Sequence, residues 1–130
     1  MSEEKIFKSE VIKASRELTA KEKIQLKDTS TCIKLDEVTD PDKPFIISCP
    51  KDYVLLHVHN DFADDNKDYN IIVIYDENGE KYSTGSARFI NDFIDYFTDL
   101  TADYEEFSVE VRKMPSKNYK NKFFLKPVII

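Results

Sequence analysis

The 130-residue chain has a mass of 15.2 kDa, which fits one compact domain and leaves little room for two. Hydrophobic residues make up 41% and charged residues 34%. That is too apolar for a disordered tail, and no apolar run approaches the ~20 residues that span a bilayer. The net charge of -6 excludes a protein coated in positive potential, but surface potential is set by charges within about 8–10 Å, so a local basic groove is compatible with it.

The charge is uneven. Residues 1–27 carry a net +2, residues 28–111 a net -14, and residues 112–130 six basic side chains and no acid. The start, Met1-Ser2-Glu3-Glu4-Lys5, lacks the apolar stretch of a signal peptide, so a cytoplasmic protein with no membrane partner is expected. Cys32 and Cys49 match no metal spacing and read as reduced, buried thiols. With only Gly79 and Gly85, a phosphate-binding glycine loop is excluded. No nucleophilic elbow or His-Glu-x-x-His helix is present, and neither an enzyme nor a cofactor is expected.

Residues 9–27 read as helical. Within them Thr19-Ala20-Lys21-Glu22 has the spacing of a capping box, and the few apolar positions, Leu18, Ile24 and Leu26, suggest an appendage. Residues 1–30 are therefore predicted to be an N-terminal helical extension, and residues 31–130 the folded domain. Thr31 to Val38 reads as a strand, Thr39 to Pro44 as a turn, and Phe45 to Ser48 as a further extended run. From Tyr53, Val54, Leu56 and Val58 alternate with Tyr53, Leu55, His57 and His59, the period of a strand with one buried face.

Asn60 to Asp68 is an acidic loop, and Tyr69 to Asp76 a strand. Asn78-Gly79 is a hairpin signal whose two-residue turn sets Tyr75 opposite Tyr82 and Val73 opposite Thr84. Hydroxyls in Ser83-Thr84-Gly85-Ser86 are placed to cap a helix from about Ala87 to Leu100, with Phe89, Ile90, Phe93, Ile94, Phe97 and Leu100 on one face. Residues 105–113 and 123–130 are strands joined by a basic loop. The order strand, strand, strand, helix, strand, strand is that of an OB-fold. The predicted class is mostly β with helices: an OB-fold-like five-stranded barrel, its helix between strands 3 and 4.

Two places could carry chemistry. His57 and His59, followed by Asp61, Asp64 and Asp65, could approach a metal shell, but read more simply as surface histidines beside a solvated loop. The segment Lys113 to Lys122 interleaves four lysines with Tyr119, Ser116, Asn118 and Asn121. A single-strand binder needs such side chains: lysines for phosphates, an aromatic face for an unpaired base, and amides for base edges. In an OB-fold the loop joining the last two strands grips oligonucleotide. The candidate DNA-binding residues are Lys113, Lys117, Asn118, Tyr119, Lys120 and Lys122. Tyr53, His57, Tyr75 and Tyr82 join them on an outer barrel face. The tail has a plainer reading, a strand pair with protective edge lysines.

Ala14-Ser15-Arg16-Glu17-Leu18, Ala20-Lys21-Glu22-Lys23, Lys27-Asp28-Thr29, Tyr82-Ser83-Thr84-Gly85-Ser86 and Ser116-Lys117-Asn118-Tyr119-Lys120 together resemble the single-stranded DNA-binding proteins of phages and prophages of Gram-positive bacteria. The resemblance implies sequence-independent single-stranded DNA binding in phage replication or recombination, inside the host cytoplasm, with contacts at the Ser-Lys-Asn-Tyr-Lys block. Homo-oligomers and a phage or host replication or recombination protein are the further partners it suggests. The chain ends in Pro127-Val128-Ile129-Ile130 rather than an acidic, glycine-rich tail, so recruitment through such a tail is not expected. The alternative is an acidic protein-binding module, an inhibitor or DNA mimic presenting residues 28–111 to a host protein.

Overall fold

The computed structural model describes residues 5–65, 67–103, 106–117 and 122–130. It is mostly β, with 45% strand and 26% helix. The strands are β1 (Phe7–Ala14), β2 (Ile33–Lys34), β3 (Phe45–Ile47), β4 (Pro50–Asn60), β5 (Asp68–Asp76), β6 (Lys81–Thr84), β7 (Val109–Pro115) and β8 (Phe123–Ile129). The helices are α1 (Ala20–Lys27), α2 (Leu35–Val38) and α3 (Ala87–Ala102). One sheet has the order β1-β4-β5-β6-β2 and the other β3-β7-β8. They do not close into a barrel. Only Ser48 and Cys49 separate β3 from β4, and Cys49 has a φ of 46°. One run of chain thus bends there and passes from the smaller sheet into the larger.

The large sheet is covered on both faces. Tyr53, Ile72, Ile74 and Tyr82 pack with Phe89, Phe93 and Phe97 of α3 and with Val109, Val111 and Leu125 of the small sheet. On the opposite face Val54, Leu56, Val58 and Val73 pack with Leu18 and Leu26. This corrects the expectation that the strand from Tyr53 has one buried face. Helix α3 forms as its spacing predicts, with Phe89, Ile90, Phe93 and Phe97 buried along one stripe. Its hydroxyls do other work. Thr84 Oγ1 accepts from the Ser86 N–H and Ser86 Oγ accepts from the Leu125 N–H, so Ser86 tethers β8 and makes no side-chain cap.

The N-terminal segment also departs from expectation. Residues 7–14 form β1, paired antiparallel with β4, and the helix begins at Ala20, where the Thr19–Glu22 capping box closes in both directions. A capping box marks a helix start, so the chain before Thr19 is free to be extended. Arg16 pins the join: its guanidinium bonds Glu22, Asp52 and the Tyr75 hydroxyl. Glu22, bonded by Arg16, falls to a pKa of about 2. In the segment expected to be one strand from Thr31, a two-residue strand at Ile33–Lys34 turns directly into α2.

The β5–β6 hairpin forms, one residue out of the expected register. Tyr75 lies opposite Lys81, Ile74 opposite Tyr82 and Val73 opposite Ser83. Gly79 donates to the Asp76 carbonyl and Asp76 donates to the Glu80 carbonyl, which makes a three-residue loop closed by Gly79 at φ 83°. The buried Asp76 carboxylate organises it, accepting from the N–H groups of Asn78 and Glu80 and from the Tyr82 hydroxyl. One extra loop residue moves Tyr82 to the other face from Tyr75.

Candidate nucleic-acid interface

Where β7, β8 and the start of α3 converge, two adjoining grooves of about 500 and 520 Å³ share Arg88 and Phe124. One is floored by Gly85, Ser86 and Ala87 with Lys113 and Phe123 at its side. The other runs along Met114, Pro115, Ser116, Lys117 and Lys126. The Arg88 guanidinium lies 4.5 Å from the Phe124 ring centroid, and Lys113 Nζ lies 5.9 Å from that of Phe123. Each cation is thereby held over a π face.

Register produces this arrangement. Lys113 pairs with Leu125, Met114 with Phe124 and Pro115 with Phe123, so successive residues of the two strands present their cations and rings around one hairpin end. Lys113 Nζ also donates to the Asp36 carbonyl at 3.3 Å, which ties its ammonium to that rim. Phe123 is 49% exposed, a large apolar ring left in water. The start of α3 adds a field of the same sign, because the positive end of a 16-residue helix without a side-chain cap faces the first groove. Asp36 is the acid on that rim.

The expected site residues divide. Lys113 and Lys117 line the grooves, and Lys122 is exposed just before β8. Asn118, Tyr119 and Lys120 lie outside the described residues. The four barrel-face residues do not join them. Tyr53 is 2% exposed and sits edge-on to Phe93 and Phe97 in the core. Tyr82 is 6% exposed, and burial with the Asp76 carboxylate pushes its phenol up to about 12, so it remains a hydrogen-bond donor. Tyr75, half-buried on the opposite face, donates to Asp52. These three tyrosines are structural, because both faces of the sheet are covered where they lie.

His57 is partly exposed at the far end of that sheet. Its Nδ1 bonds Asn70 at 2.9 Å and its Nε2 bonds Asp68 at 3.3 Å. His59 bridges Asp68 at 2.9 Å and Asp61 at 2.7 Å. Asp61 in turn accepts from the Ile6 N–H. Hydrogen bonds to Asn70 and Asp68 raise the pKa of His57, and bonds to Asp68 and Asp61 raise that of His59. Among the described residues no group of three or more His, Cys, Asp or Glu side chains is arranged to hold a metal ion. The histidines tie the acidic loop and the start of β1 to the sheet.

Sequence reasoning missed Arg88, Phe123, Phe124 and Lys126. Arg88 falls opposite the apolar stripe of its helix, and the two phenylalanines open the strand expected over residues 123–130 without being singled out. The available signal was the adjacency of Phe123 and Phe124: strand neighbours point to opposite faces, so one of an adjacent pair is turned outward unless both faces are covered.

No helix among the described residues is long and apolar enough to cross a membrane. No family model, curated protein or solved structure matches the chain.

Proposed function

We propose that this protein binds single-stranded DNA without sequence preference and acts by binding alone, as a phage replication or recombination protein in the host cytoplasm. The observation that carries the reading is the pair of cation-on-ring contacts, Arg88 over Phe124 and Lys113 over Phe123, around grooves that also hold Lys117 and Lys126. Single strands are held by cations that track phosphates and rings on which bases stack. A duplex hides its base faces, so exposed Phe123 favours an unpaired strand.

The frame suits a partly open OB-like barrel. The bent run β3–β4 serves both sheets, since β3 pairs with β7 and β4 with β5. Helix α3 lies between the third and fourth strands of that set, as the element order required. On this reading the β7–β8 connection is the gripping loop, and the Ser-Lys-Asn-Tyr-Lys block supplies contacts to the strand.

A fluorescence anisotropy titration with labelled oligo-dT at low salt tests the proposal. Saturable binding in the micromolar range or tighter is expected, with a duplex of equal length bound more weakly. No binding at tens of micromolar protein overturns it, and the acidic surface with a protein partner then becomes the reading to pursue.

A further inference from the structure

In the groove floored by Gly85, Ser86 and Ala87, the charged side chains among the described residues are Arg88, Lys113 and one acid, Asp36. The fold holds that acid in place. Leu35 is buried in the core, and parallel pairing sets Lys34 beside Ser83. The first turn of α2 therefore brings Asp36 alongside Thr84, whose hydroxyl donates to Asp36 Oδ2 at 2.9 Å. The same hydroxyl oxygen accepts from the Ser86 N–H at 3.1 Å, so its one proton is directed at the carboxylate. Asp36 is exposed, and among the described residues its Oδ1 takes no hydrogen bond. Lys113 Nζ bonds the Asp36 carbonyl at 3.3 Å and lies 5.9 Å from the Phe123 ring centroid. One ammonium thus links the backbone at Asp36 to the exposed ring.

A carboxylate repels phosphate and only accepts hydrogen bonds, so a fixed one in a nucleic-acid groove calls for a donor on the ligand. In DNA the donors are on the bases. Given single-stranded DNA as the ligand, the reading on which this inference rests, we propose that Asp36 is a specificity-determining residue. Its carboxylate accepts a hydrogen bond from the Watson–Crick edge of the base stacked on Phe123. Every DNA base offers at least one N–H there: the amino group of adenine or cytosine, the N3–H of thymine, and both kinds in guanine. The contact therefore selects an unpaired base without selecting a sequence. In a duplex the same N–H groups are taken up by the opposite strand. Asp36 then meets phosphate without a compensating donor and repels it. Stacking on Phe123 and acceptance by Asp36 thus reject a duplex for two separate reasons, a hidden base face and an occupied base edge.

Methylation of thymine at N3 removes that N–H and leaves the phosphate charge unchanged, so it isolates the contact. In anisotropy titrations of the full chain, oligo-(N3-methyl-dT) should bind about tenfold more weakly than oligo-dT, the loss of one charge-assisted hydrogen bond. Asp36→Ala should bind the two oligonucleotides equally, because it has no acceptor to lose. It should also bind a duplex more tightly than the parent does, which narrows the preference for single strands. Circular dichroism checks that the variant is folded. Should it unfold, Asp36→Lys, which presents donors only, takes its place with the same expectation of equal binding. A parent chain that binds oligo-dT and its methylated form alike overturns the inference and leaves the single-strand reading standing. So does a folded Asp36 variant that keeps the parent's difference between the two. A parent chain that binds neither oligonucleotide overturns the single-strand reading itself, and the role of Asp36 falls with it.

Discussion

If the β7–β8 grooves bind single strands through phosphate, the dependence on salt reports how many cations take part. Arg88, Lys113, Lys117 and Lys126 line the two grooves. Each phosphate neutralised on a single strand contributes about -0.7 to the slope of log affinity against log salt. Four contacts give a slope of about -2.8, so raising salt from about 50 to 200 mM should weaken binding about 50-fold. The double substitution Lys117→Ala/Lys126→Ala removes two contacts. Its slope should fall to about -1.4, and the same salt change should weaken binding only about 7-fold. Phe123→Ala should behave differently. Stacking is worth about 1–3 kcal/mol per base and releases no counterion, so affinity should drop roughly 5- to 150-fold at every salt concentration with the slope unchanged. Anisotropy titrations of the three proteins against one labelled oligo-dT, at four salt concentrations, decide the matter. A lysine pair whose loss leaves the slope at its parent value refutes the groove as the phosphate path. A Phe123 variant whose slope shifts as far as the lysine pair's shows the hairpin has merely been reshaped.

Three further outcomes follow from the fold. Asp76→Ala removes the acceptor for three hydrogen bonds and should cost about 3 kcal/mol in urea denaturation, with Tyr82→Phe costing about 1 kcal/mol; equal stability in both would mean the hairpin holds without its carboxylate. Deleting residues 1–18 strips β1 from β4 and uncovers Val54, Leu56 and Val58, so calorimetry should show no cooperative melt, whereas an intact transition would make β1 dispensable. The pH dependence of Tm should carry the histidine cluster's signature. The raised pKa values of His57 and His59 give stability fully present below the ordinary 6.5 and lost as pH climbs through the folded values. Asp61, held down first by the Ile6 N–H, and Asp68, held down first by His59, give stability present above 3.8 and lost as pH falls through their folded values. Tm should therefore be higher at pH 6 than at pH 8, and the difference should shrink in His59→Gln; an unchanged difference assigns it elsewhere.

Much of the frame is legible in local pattern. The spacing of Phe89, Ile90, Phe93 and Phe97 specifies α3 because a helix must aim one stripe at the core. What failed was the step from strand to layer. Tyr53-Val54-Leu55-Leu56 is a continuous apolar run, which marks a strand covered on both faces. Reading it as half-buried sent Tyr53 to the surface. The cover on the second face comes from Leu18 and Leu26, two residues that look sparse on a helix yet suffice once β1 carries them across the sheet. The hairpin illustrates a different limit. Asn78-Gly79 announces a turn, but loop length depends on Asp76, whose carboxylate bonds favour the longer loop and shift every later residue to the other face. The candidate site was half visible for the same reason. Composition pointed to the lysines, while Arg88 reaches them only through tertiary packing of α3 beside β8.

The acidic balance is compatible with the proposed phosphate-binding groove because α3 sets most of its acids beyond the groove. Helix α3 begins at the grooves with Arg88, carries half-buried Asp92 one turn on, and then exposed Asp95 and Asp99, with Asp103 as its C-cap. At a rise of about 1.5 Å per residue, seven residues from Arg88 to Asp95 span about 10 Å, one Debye length at about 0.1 M salt. The acids farther along are screened from an anion seated at Arg88 under those conditions, so the groove potential is set by its own cations, the positive end of the helix and the two nearby acids, Asp36 on the rim and Asp92 one turn beyond Arg88. At low salt the same acids would repel a polyanion from the rest of the surface and leave the hairpin end as the approach of least repulsion. On the proposed reading, a net charge of -6 narrows where a strand can land without preventing it from landing.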